Sequence, residues 1–151
     1  MSTSTRFAVA VHLLTNLAAA GEEPLRSEDL ARSASTSASV VRSLLVRLNR
    51  AGLTQTQLGA GGGVQLKRPA KKIRLIDVYR ATEETEIFAR HRTEPSQRCP
   101  IGRVILDVLN PVFSRAQSAL EHELASVTVQ DVTEDAARLA GFKIGSYRPP
   151  I

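Results

Sequence analysis

The stretch "STSASVVRSLLVRLNRAGLTQTQLGAGGGVQLKRP" (Ser35–Pro69) decides the fold class. Its first half has helical periodicity. Val40, Val41, Leu44, Leu45 and Leu48 span an apolar arc of roughly 140° on a 3.6-residue wheel, while Ser39, Arg42, Ser43, Arg47 and Arg50 occupy the other side. Ser37 is placed to cap this helix and Gly52 to stop it. The second half changes period. "LTQTQ" and "VQLKRP" alternate, and the "GAGGG" between them (Gly59–Gly63) supplies the backbone freedom of a hairpin turn. A phosphate-cradling P-loop is excluded, because no Gly-Lys-Ser/Thr follows and no helix begins there.

Upstream, "RSEDLARSAS" (Arg26–Ser35) reads as a short helix with Ser27 as its cap and Glu28 and Asp29 in the first turn. A short helix, a tight turn and a second helix that is basic on its free face match a helix-turn-helix. With a hairpin directly behind it, the unit is a winged helix. A further helix is expected before it, from Ser4 to Ala20, with Phe7, Ala10, Val11, Leu14, Leu17 and Ala18 inward and His12 and Asn16 pointing away. Downstream, a helix is expected over Leu75–Thr82, then a loop or short helical pieces over 86–98. Helix resumes near Cys99–Pro100, a fresh helix opens at Asn110–Pro111, and a last one is capped by Thr128. The Gly- and Pro-rich tail is expected to be flexible.

The fold class is therefore mainly α: a winged helix-turn-helix with a two-stranded wing plus C-terminal dimerisation helices. The expected organisation is a DNA-binding domain over 1–82, a loop and dimerisation helices over 83–140, and a flexible tail over 141–151. Ile101, Val104, Ile105, Val108, Val112, Phe113, Ala116 and Leu120 form a stripe too apolar for one arm to hide. At ~25 cal/mol per Å², leaving it wet would cost several kcal/mol. A second copy related by a two-fold axis would cover it, so a homodimer is expected.

Charge is unevenly distributed over the 151 residues, whose formal total is +5. Residues 26–50 carry five arginines against Glu28 and Asp29, and Lys67, Arg68, Lys71, Lys72, Arg74 and Arg80 face only Asp77 across 67–80. The stretch 121–138 is instead acidic. A basic first half points to a polyanionic partner, double-stranded DNA given the helix-turn-helix. Arg42 has the geometry to pair bidentately with guanine O6 and N7, and the serines to meet bases or phosphates. Arg47 and Arg50 lie deeper along the helix, facing phosphates or solvent. A solvated basic face and a surface hairpin remain the plain alternatives.

The single cysteine, Cys99, excludes an intrachain disulfide and any all-cysteine metal site within one chain. Next to a helix start its thiol would be a candidate redox sensor. His91 and Cys99 alone do not make a metal site. No signal peptide and no apolar run near ~18 residues is present, so a cytoplasmic protein without membrane contact is expected. No catalytic arrangement or cofactor fingerprint stands out, and an enzyme is not expected.

The chain resembles the Rrf family of bacterial winged-helix transcription regulators, which share the IscR-like fold. The resemblance runs from "STRFAVAVHLL" through "LARSASTSASVVRSLLVRLNRAGL", "LGAGGGVQL" and "KKIRLIDVYRATE" to "SVTVQDV". "FARHRTEPSQRCPIG" and "EHELAS" look closest to its cluster-free, YwnA-type branch. The resemblance implies a sequence-specific DNA-binding homodimer, a repressor, responsive to a redox or small-molecule signal. It places Ser37, Ser39, Arg42 and Ser43 on DNA-reading positions, and Gly59, Gly61, Gly62 and Gly63 on the wing; Val40, Arg47 and Gln57 complete the expected DNA-binding set. Leu58 stands where the family commonly has arginine. Cluster-binding members need three cysteines, so no iron–sulfur cofactor is expected here. Two rivals remain open: a winged helix used as a protein-interaction module, and a regulatory subunit without DNA binding.

Overall fold

Alanine and leucine dominate the first helix, α1 (Arg6–Ala20), and their compact apolar side chains let neighbours close around it. The fold comes from a computed structural model that describes residues 4–83 and 86–150. Among the described residues α1 is followed by α2 (Ser27–Ser33), α3 (Ala38–Arg50), strands β1 (Thr54–Gln57) and β2 (Gly63–Leu66), a 3₁₀ turn (Ala70–Lys72), α4 (Leu75–Thr82), α5 (Ile105–Ser126) and α6 (Val129–Ala140). The chain is mainly helical, with one antiparallel pair of strands.

Two compact units divide it: Met1–Glu83 with Leu124–Ile151, and Glu84–Glu123. In the first, Leu13, Leu14 and Leu17 of α1 meet Leu30 of α2, Val41, Leu44 and Leu48 of α3, Leu53, Ile73, Val78 of α4 and Val129 of α6 in one core. Because α1 is covered by several elements, its buried arc is wider than one stripe. Leu13, absent from the expected stripe, is fully buried. Asn16, expected to point away, is only 4% exposed.

The domain boundary drawn from sequence also differs. α6 was grouped with the 83–140 arm, yet it packs on α1 with Val129 and Thr133 buried. Its start is tied down by backbone bonds: Val129 N–H donates to Ile73 O (2.8 Å) and Leu75 N–H to Val127 O (2.9 Å). Thr128 caps α6 as expected, accepting from Asp131 N–H at 3.1 Å, while Thr128 N–H donates back to Asp131 at 2.8 Å. Hydrogen bonding to the carboxyl from the Thr128 backbone N–H first, and from the Thr128 side chain second, holds Asp131 below its ordinary pKa. The box is therefore at full strength at neutral pH and fades in acid, as pH falls through that lowered value.

Three other boundaries change. Ser27 is the first residue of α2 rather than its cap, a place taken by Arg26 without a side-chain bond. Helix does not resume at Cys99–Pro100: residues 99–104 form hydrogen-bonded turns (Arg103 N–H to Cys99 O, 3.1 Å) and α5 begins at Ile105. Nor is there a new start at Asn110–Pro111, because α5 runs through Pro111 for 22 residues, about 33 Å. Proline there removes only the bond to the Asp107 carbonyl. Asp107 and Pro111 are both exposed, so solvent reaches the freed group. The tail has no regular structure, but it is laid against α1: Gly145 N–H donates to Ala19 O at 2.7 Å, and Arg148 pairs with Glu23.

β2 is held on both edges. Val64 pairs with Thr56 in β1, and on its other side exchanges bonds with Leu25 (Val64 N–H to Leu25 O, 2.8 Å; Leu25 N–H to Val64 O, 2.9 Å). Gly63 makes that approach possible, since a Cβ there would lie 2.6 Å from the Leu25 carbonyl oxygen. Gly63→Ala is expected to break the pair of bonds and destabilise the chain by about 2 kcal/mol. A urea titration checks this, with Ala60→Ser at the exposed wing tip as the unaffected control.

Candidate nucleic-acid interface

Burial of Val41, Leu44, Leu45 and Leu48 fixes how α3 is rotated, and this turns Ser39, Arg42, Ser43, Arg47 and Arg50 to solvent. Ser37 caps the helix by accepting from Val40 N–H at 3.2 Å. Its hydroxyl hydrogen remains available to a phosphate or base acceptor. Val40, placed in the apolar arc by the wheel, is 44% exposed. The arc is centred on 41, 44, 45 and 48, so Val40 falls at its edge and joins the outer face. Val46, which sequence reasoning did not select, is 50% exposed on α3. Apolar contact with a thymine methyl suits such a residue.

Arg42 is not alone on that face. Its guanidinium lies 3.6 Å from the Glu28 carboxylate of α2, both side chains about 60% exposed. An exposed pair of this kind contributes little to stability. The pair is open to solvent, so Arg42 can exchange Glu28 for another acceptor at little cost. Composition alone counted Glu28 as a first-turn acid; its link to Arg42 is visible only once α2 and α3 are packed.

The wing presents Gln57, Leu58, Gly59, Ala60 and Gly61 to solvent, with Gly62 and Gly63 half-buried. Leu58 is 88% exposed at the tip. Asn49 of α3 reaches Thr56 of β1 at 3.4 Å, linking helix to wing. The cations after the wing divide into two sets. Arg68 and Arg74 lie 4.0 and 3.7 Å from Asp77. Lys67, Lys71 and Lys72 are exposed and make no salt bridge among the described residues.

In the second unit Phe88 stacks on Phe113, ring centroids 4.9 Å apart. Of the expected stripe, Ile101, Val104, Val108 and Val112 are exposed, while Ile105, Phe113, Ala116 and Leu120 are half-buried. No residue of α5 is buried. Cys99 is exposed, and it is six residues short of the helix whose dipole would have activated it.

A capped helix with an outward serine–arginine face, braced by a preceding helix and followed by a glycine-tipped hairpin, defines a winged helix-turn-helix protein. The family model for Rrf2, described as an iron-dependent transcriptional regulator, matches residues 3–135. The chain belongs to the Rrf2 family. It is 37% identical over 130 residues to YwnA of Bacillus subtilis, a protein named as a helix-turn-helix-type transcriptional regulator, covering 85% of this chain and 95% of that one. To the protein aau3 of Rhizobium meliloti it is 33% identical over 140 residues, 93% of this chain and 89% of the other. A solved structure described as a transcriptional regulator from Lactobacillus plantarum superposes with a TM-score of 0.73 at 28% identity, covering 91% and 95% of the two chains. The structure of T. potens IscR does so at 0.70 and 25%, covering 92% and 90%. The chain is a DNA-binding transcriptional regulator, in a family that is not enzymatic.

Iron dependence in the family raises the question of a metal ligand set in this chain. A cluster within one chain needs several soft ligands. This chain has one cysteine, and no three of His, Cys, Asp and Glu come together among the described residues. These residues do not fit a cluster held by one chain. No helix among the described residues is long and apolar enough to cross a membrane.

Proposed function

We propose that the chain is a cytoplasmic, cofactor-free repressor that binds a near-palindromic operator as a homodimer. The observation that carries this is the outer face of α3, where Ser39, Val40, Arg42, Ser43 and Arg47 are all exposed. In a dimer two such helices enter successive major grooves about 34–36 Å apart, and the wings approach the flanking backbone. Gln57 and the backbone of Gly59 and Gly61 are the wing groups left for that contact. The exposed Val108 and Val112 of α5 support the dimer, since no residue of that helix is buried among the described residues. A dimer seated along one face of the duplex shuts out other proteins, which is repression. Cys99, exposed in the loop before α5, is the proposed point of redox input.

The test is a mobility-shift titration against fragments of the source genome at several salt concentrations. Specific fragments should be retained, with affinity falling about 10³–10⁵-fold between 50 and 200 mM salt if 6–10 phosphates are neutralised. Replacing Lys71 and Lys72 by alanine should weaken all sequences alike and reduce the salt slope by about one to two. A chain that retains no fragment at low salt would be a protein-interaction module instead.

A further inference from the structure

A cleft of about 390 Å³ opens in the first unit between α1, the end of α2, α6 and the C-terminal tail. Val11, Val132, Ala136, Phe142 and Tyr147 contribute much of its apolar wall, and no Lys, Arg, Asp or Glu lines it. The aromatic part is contributed by the tail, whose Phe142 and Tyr147 rings pack at 4.7 Å and 42°. Gly145 N–H to Ala19 O (2.7 Å) and the Arg148–Glu23 pair hold the tail in that place.

The remaining lining includes a polar cluster. Asn16, nine-tenths buried, donates to His12 O and to Ser33 Oγ, both at 3.1 Å. Ser33 Oγ lies 3.3 Å from Asn16 Oδ1 and 3.1 Å from His12 Nε2. The serine hydrogen has two acceptors to choose from, depending on the histidine tautomer. The cluster therefore has two arrangements that differ little, and an added hydroxyl or carbonyl has partners in either.

We propose that this cleft binds a neutral, one-ring aromatic molecule bearing a hydroxyl or carbonyl, and that its occupancy is felt at the turn leading into the recognition helix. The volume falls within the range of small-molecule sites, and apolar walls with a few convergent polar groups are their usual form. The absence of charged lining groups selects against ions, which would be desolvated without compensation. The Phe142–Tyr147 wall suits a ring. Transmission follows from Ser33 being the last residue of α2. Just beyond it Ser35 holds a positive φ of 50°, with Ser35 N–H bonded to Arg32 O and Thr36 N–H to Ala31 O, and Ser37 then caps α3. A ligand that takes over the Ser33 hydrogen bond changes what α1 offers to that turn. The proposal concerns the free protein, so it stands or falls separately from operator binding.

The experiment is a ¹H–¹⁵N correlation titration of the full chain at neutral pH with 4-methylphenol, which is uncharged there, with benzoate as the charged counterpart. Saturable shifts are expected at amides lining the cleft and also at Ser35, Thr36 and Ser37, which do not line it. Benzoate should bind at least tenfold more weakly. Ala136→Phe, which fills the cleft, should weaken binding roughly tenfold or more, with Ala8→Leu at the exposed rim as a second filling variant if the first fails to fold. No saturable shift, shifts centred elsewhere, equal binding of benzoate, equal binding by a folded cleft-filled variant, or shifts that stop short of 35–37 would each overturn the proposal.

Discussion

Val108→Glu is expected to convert a dimer into a folded monomer. Val108 is 59% exposed and Val112 45% exposed one turn further along α5, and Ile101 and Val104 are exposed in the turns before it. Each such side chain fully covered by a partner contributes roughly 1.5–3 kcal/mol. In a two-fold assembly every substitution occurs twice, so the variant puts two carboxylates into one apolar seam. An uncompensated buried charge costs about 3–5 kcal/mol, enough to weaken association by about 10³-fold or more. The core of the first unit contains no residue of this stripe, so its melting should not change. Sedimentation at micromolar concentration should give twice the monomer mass for the natural chain and the monomer mass for the variant. A natural chain that sediments as a monomer, or a variant that stays dimeric, would remove the interface from α5. Operator affinity should fall with the dimer, because each half-site contact then has to be made alone.

Arg42→Ala is expected to cost about 1–3 kcal/mol of operator affinity, roughly five- to 150-fold, and to relax sequence preference at one position of each half-site. Its loss should leave folding almost unchanged, since its ion-pair partner among the described residues is the exposed Glu28. Arg42→Lys should recover part of the affinity but not the preference, because an ammonium lacks the fork that meets guanine twice. Glu28→Gln separates the readings further. If Arg42 serves DNA, freeing it should hold or raise affinity. If the pair is structural, both variants should destabilise the chain equally. Binding to a fixed operator and to a scrambled duplex, compared at one salt concentration, distinguishes these outcomes. Arg42→Ala that weakens both duplexes alike would make the residue a phosphate contact only.

Much of this was legible beforehand for a simple reason. α3 carries its own instructions: Ser37 caps it, Leu44, Leu45 and Leu48 repeat at helical spacing, and the arginines fall opposite. The hairpin is equally local, since the alternation of "TQTQ" and "GVQL" and the glycines between them act within one turn. Thr128 as the cap of α6 is likewise a local signal, and the structure has it there.

The misreadings arose where distant segments decide. Asn16 is polar, so a wheel turns it outward; burial became acceptable because Ser33, 17 residues on, completes its hydrogen bonds. Pro111 is a local stop signal, overridden in a helix that loses a single exposed bond. Cys99 was judged by a helix start that the fold places six residues later.

By itself the sequence determined the winged helix-turn-helix, the face of α3 that carries arginine, the glycine wing and the lack of cluster ligands. Each of these follows from periodicity, caps and residue counts, which act over a few neighbours. Only the tertiary structure decided that α6 joins the DNA-binding unit, that Glu28 pairs with Arg42, and that the tail closes an aromatic wall over His12, Asn16 and Ser33. Those outcomes depend on which buried surfaces meet, and the free energy of that meeting is shared among residues distant in the chain, as Ala19 and Gly145 are, where no local pattern records it.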